Sequence, residues 1–132
     1  MREYVKKTKV FHLGALAASA DSVLWAIWKT PAAIKITAAR LAANTACNAA
    51  NTNYNTWNLK NGSVVVASIA NGPASGGTSF TAGAFSSMTV VDAAGASELA
   101  AGDTLSFVSV KQGNGLALVG AVLQIEYYDY GN

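Results

Sequence analysis

The side chains able to do chemistry in this chain are few: one histidine, one cysteine and seven carboxylates in 132 residues. His12 is the sole imidazole and sits between Phe11 and Leu13 in a strand-like run. It reads as a packed or edge-strand histidine rather than as the base of a nucleophilic pair. Cys47 has no second cysteine with which to form a disulfide, and neither CxxC nor Cys/His spacing for zinc is present. In an Ala-rich segment it reads as a small buried hydrophobe. Paired carboxylates could run acid–base chemistry without histidine. Glu3, Asp21, Asp92, Glu98, Asp103, Glu126 and Asp129 are instead scattered. Asp103 after Gly102 reads as a turn residue, Asp92 and Glu98 as loop solvation, and Glu126 as an outward strand position. Gly72, Gly76, Gly77 and Gly83 show no GxxxxGK[ST] pattern and no helix signal to hold a phosphate. The expectation is a non-enzymatic chain with no catalytic, cofactor or metal site.

Two other groups of residues suit binding. Trp25, Trp28, Tyr54, Tyr127, Tyr128 and Tyr130 could stack on sugars or anchor a protein interface, and the same residues equally suit a sandwich core. Arg2, Lys6, Lys7 and Lys9 hold four of the nine basic residues. Such a cluster either discourages strand addition at a solvated edge or grips an acidic partner. The net charge of +2 is too small and too dispersed for a nucleic-acid groove, whose affinity rests on many phosphate contacts.

Composition bears on what surrounds the chain. It is 52% hydrophobic and only 12% charged, less charge than a soluble monomer ordinarily uses to interrupt apolar segments. A membrane helix does not explain this, because Asp21, Lys29, Lys35 and Arg40 punctuate the most apolar region. A leader has some support: the basic cluster precedes the apolar stretch from Val10 to Ala18, and Ala18-Ser19-Ala20 resembles a cleavage site. Residues 1–20 are nonetheless read as mature chain, an N-terminal arm or edge strand; a start at Asp21 would instead mark an exported adhesin subunit. The favoured account is a surface largely covered by other subunits.

The elements that must position these residues are short strands between Gly, Asn, Pro and Ser clusters, within the length of one domain spanning 1–132. Val5 to Leu13 alternates, with Val5, Lys7, Lys9, Phe11 and Leu13 on one side. Val23 to Lys29 is apolar on both faces. After Pro31, Ile34, Ile36 and Ala38 face one way along Ala32 to Leu41. Ala42 to Asn53 reads as an ordered loop. Tyr54 to Lys60 and Val64 to Ile69 flank Asn61-Gly62, the strongest hairpin signal, with Trp57 and Leu59 inward. Ala70 to Gly83 reads as a flexible surface loop and Phe85 to Val91 as one short strand. Asp92 to Ala101 is expected to hold a turn or one helical turn. Gln112-Gly113-Asn114-Gly115 looks like a second hairpin, joining Thr104 to Lys111 with Ala117 to Tyr127. In that last strand Leu123, Ile125 and Tyr127 oppose Gln124, Glu126 and Tyr128. About eight antiparallel strands of this kind make an all-β sandwich or jelly roll.

Part of the chain resembles a known group. Asn53-Tyr54-Asn55-Thr56-Trp57-Asn58-Leu59-Lys60-Asn61-Gly62, Ala100-Ala101-Gly102-Asp103-Thr104-Leu105, Gly113-Asn114-Gly115-Leu116-Ala117-Leu118 and Val122-Leu123-Gln124-Ile125-Glu126-Tyr127 resemble tailed-bacteriophage capsid decoration (cement) and head-fibre-type virion proteins. The resemblance covers about Asn53 to Tyr127, and its motifs are turn and strand signatures rather than catalytic residues. It implies a β-sandwich subunit, often a homotrimer, on the outer capsid surface, bound to the major capsid protein and bridging capsomers. On that footing Arg2, Lys6, Lys7 and Lys9 would steer docking onto an acidic shell, and Trp25 and Trp28 would lie in the core or an intersubunit seam. The alternative is a receptor- or glycan-binding module of a phage fibre or tail, using the Tyr-rich end or the Gly72 to Gly83 loop.

Overall fold

Alternating apolar residues separated by Gly and Asn turns favour pleated strands over helices, because branched and aromatic side chains pack well on a half-buried sheet. The computed structural model describes residues 5–17, 23–72 and 77–129. It contains ten strands: β1 (Val5–Leu16), β2 (Val23–Lys29), β3 (Ile34–Ala42), β4 (Tyr54–Asn61), β5 (Val64–Ala70), β6 (Ser86–Ser87), β7 (Thr89–Val90), β8 (Glu98–Leu99), β9 (Thr104–Gln112) and β10 (Leu118–Asp129). They form two antiparallel sheets. One runs β1-β10-β3, with β6 and β8 both on the far edge of β3; the other runs β2-β9-β4-β5-β7. This is a β-sandwich, with seven long strands and three of two residues each.

Between successive strands the chain changes sheet at every step except the β4–β5 hairpin. That hairpin turns at Asn61-Gly62, where Gly62 has a φ of +60°, which costs a residue without Cβ little. Gln112 to Gly115 does not make the expected hairpin: β9 and β10 lie in different sheets, so this turn arches across the sandwich. Asn53 and Asn55 hold the arch. Their side-chain Oδ1 atoms accept from the Asn114 and Leu116 amides at 2.9 and 2.7 Å. A Cβ on Gly113 would collide with Thr52 O and Asn53 Oδ1, so the arch needs glycine there.

The core is one cluster in which Trp57, Leu59, Phe80, Leu105, Phe107, Leu123 and Ile125 are fully or almost fully enclosed. Three further expectations change here. Alternation in β3 breaks at a bulge between Ile36 and Ala38, so Ala39 and Leu41 join Ile34 and Ile36 inward while Ala38 faces out. Within the 70–83 segment, residues 77–83 are anchored rather than loose, because Phe80 is buried, stands edge-on to Trp57 at 5.7 Å, and exchanges backbone bonds with Cys47; 73–76 lie outside the described residues. Phe85 to Val91 is two strands, since β6 pairs with β3 and β7 with β5. Met88 between them is buried, and its amide donates to Ala39 O at 2.8 Å. Cys47 is indeed a buried hydrophobe, and burial pushes its thiol pKa up.

Candidate interaction surface

β1 is an edge strand, laddered to β10 on one side. Its register with β10 decides where the basic residues go. Lys7, Lys9, Phe11 and Leu13 take the sandwich side, and Lys6, Thr8, Val10 and His12 the outer side. On the outer side Lys6 Nζ lies 3.3 Å from Glu126 Oε1, and Arg40 Nη1 on β3 donates to Glu126 Oε2 at 2.6 Å. These two cations hold the Glu126 carboxyl below its ordinary range, the Arg40 hydrogen bond first. Lys7 Nζ donates to Asp129 Oδ2 at 2.9 Å, and that bond holds the Lys7 ammonium above its usual pKa. Lys9 has a different environment: its Nζ stands 5.6 Å from the Phe11 ring centre and 5.2 Å from that of Trp28.

Those rings begin an aromatic stack that fills the seam between β1 and β2. Phe11 and Trp28 are 6.1 Å apart between centroids, and Trp28 and Tyr127 are 5.3 Å apart, both pairs tilted. A bulge in β2 between Ala26 and Trp28 re-registers the strand so that Trp28 sits opposite the inward-facing Leu105. Tyr127 is only 9% exposed, so it is a seam residue and not part of an open stacking platform. Tyr128 lies beside it in β10, opposite Lys6 on β1 and Lys35 on β3. Tyr54 belongs to the other sheet, packed against Gly72, so these aromatics do not converge on one sugar-binding face.

The structure therefore brings Lys9, Trp28 and Tyr127 together, and sets Lys6 and Lys7 against β10 carboxylates. Arg2 and Tyr130 lie outside the described residues, as does the side chain of Trp25, whose backbone pairs with Phe107. Sequence reasoning missed Phe11, Arg40, Glu126 and Asp129 as members of this surface. Phe11 had a readable signal, since it shares a strand face with Lys7 and Lys9. The cross-strand partners had none, because they depend on β1 pairing with the last strand.

The outer face of the other sheet is chemically different. Opposite the buried Trp57, Leu59, Leu105 and Phe107, strands β4 and β9 turn Thr56, Asn58, Lys60, Ser106, Val108 and Val110 outward, although Ser106 and Val108 are themselves buried. One of these six is charged. Beside it, a cleft of about 290 Å³ is lined by Ser68, Ile69, Ala70, Thr78, Ser87 and Thr89, rich in hydroxyls and without an aromatic. Carboxylates elsewhere serve the fold. Asp103 Oδ2 accepts from the Ala100 amide and Asn61 Nδ2, fixing the turn before β9, and Asp92 Oδ1 accepts from Ser97 Oγ. No protein-family model, curated protein or solved structure matches this chain.

Proposed function

We propose that this chain is a non-enzymatic virion structural protein that decorates and stabilises a bacteriophage capsid, bridging neighbouring capsomers as a homotrimer on the outer surface. The observation that carries the reading is the nearly uncharged outer face of the β4–β9 sheet, where Val110 is 41% exposed. Such a face suits burial against another subunit, where charge is depleted. The quoted turn and strand motifs point the same way, and in this fold they act structurally: Asn53, Asn55 and Asp103 pin the crossings between sheets. Stabilisation would work by linkage. Contacts made only in the assembled shell lower its free energy relative to free subunits, and no active site is needed.

The test is oligomeric mass in solution, followed by co-sedimentation with shells lacking the protein. A stable trimer that rebinds and raises the shell's disruption temperature is the expected result. A monomer indifferent to shells overturns the reading and favours the fibre or tail module, with the hydroxyl-lined cleft as the place to screen glycans.

A further inference from the structure

The free side of β1 is a surface distinct from the nearly uncharged outer face of the β4–β9 sheet. Its register with β10 is unbroken from Val5 to His12, and irregularities begin only at Gly14. This leaves a straight edge of roughly 26 Å, at about 3.3 Å per residue. Among the described residues no backbone hydrogen bond reaches its far side. Alternate residues along it direct their N–H and C=O groups outward, as any edge strand does.

We propose that residues 5–12 of β1 form a docking edge for an extended acidic segment of a partner protein, which joins the sheet as an added strand. Charge chooses this occupant. β1 carries Lys6, Lys7 and Lys9 and no carboxylate, so a second copy would set two groups of three lysines in adjacent strands. That guards the edge against itself. Around it, Lys6, Lys7, Lys9 and Arg40 outnumber Glu126 and Asp129, and Lys9 is held by rings rather than by a carboxylate. An acidic strand meets this surplus on both faces, because Lys6 lies on the outer face and Lys7 and Lys9 on the sandwich face. Val5 and Val10, 59% and 44% exposed, add apolar contact on either side of the lysines. Backbone pairing supplies affinity and the alternate side chains supply selection, the mode of strand addition. The inference does not depend on the capsid reading, since it specifies a partner's chemistry and not its location.

The experiment titrates the full chain with blocked eight-residue peptides of alternating Val and a variable residue, either Glu, Gln or Lys. Amide exchange by mass spectrometry and tryptophan fluorescence are the readouts. Glu peptides should bind best, slow exchange across residues 5–12, and weaken about tenfold when Lys6, Lys7 and Lys9 are together changed to Gln. A melting curve of that variant checks that it is folded. Equal binding of Glu and Lys peptides, protection confined to other strands, or no binding by any series overturns the proposal. Protection of residues 5–12 that grows with protein concentration alone also overturns it and assigns the edge to a second copy.

Discussion

On the β6–β7 side of the sandwich the backbone itself passes from one sheet to the other, with the single buried residue Met88 between two strands. On the β1–β2 side the chain also changes sheet, six residues separating Leu16 from Val23, and along the two edge strands the gap is filled by Phe11, Trp28 and Tyr127 with Lys9 across two of the rings. The first seam is crossed by one buried residue between two short paired strands; the second is spanned along its length by side-chain packing. A seam of the second kind can open without unthreading the core, so β1 should be the weaker margin of the fold.

The sharpest way to break the comparison is at Met88. Met88→Asp would place a carboxylate in the buried crossing and should cost more than about 4 kcal/mol, enough to abolish a cooperative thermal transition. Met88→Leu should stay within about 1.5 kcal/mol in the same melt. Next, Trp28→Ala should cost about 2–4 kcal/mol. Its signature is spatial: amide exchange should accelerate in β1 while β5 and β7 keep their protection. Uniform acceleration across both sheets would mean that the two seams are one cooperative unit. Lys9→Met keeps the aliphatic stem and removes the charge over the rings, so denaturant unfolding should register about 0.5–1 kcal/mol.

The smallest effect is the pH limb from Glu126. Arg40 and Lys6 depress its folded pKa, so its contribution is present above the ordinary value of 4.5 and is lost as pH falls through the lower folded value. Glu126→Gln should flatten the acid side of a melting-temperature profile in that window and leave the neutral side nearly unchanged. An unaltered acid limb would show that this cluster does not help hold β1 to β10 and β3.

What was readable in the sequence was local. The Asn61-Gly62 turn and the alternation of Leu123, Ile125 and Tyr127 carry their own signals, because turn chemistry and a two-residue period are properties of short segments. The misreadings share a cause. A Gly-rich turn such as Gln112 to Gly115 can close a hairpin or arch between sheets, and the choice was made by Asn53 and Asn55, some sixty residues earlier. Likewise the bulge at Thr37 and the split at Met88 preserve inward packing against distant strands, at the expense of strict alternation. The candidate surface was half legible: its lysines and Trp28 stood out by type, while Glu126, Asp129 and Arg40 entered through pairing.

Cys47 has a consequence for timing. Only a thiolate reaches an alkylating reagent, and this thiol is enclosed, with its proton shared toward Ala117 O at 3.4 Å and its backbone bridged to Phe80. The chain has no other thiol to compete. Slow modification of the native protein therefore counts the openings of the Cys47–Phe80 bridge, giving the molecule an internal clock for how often its looped end breathes.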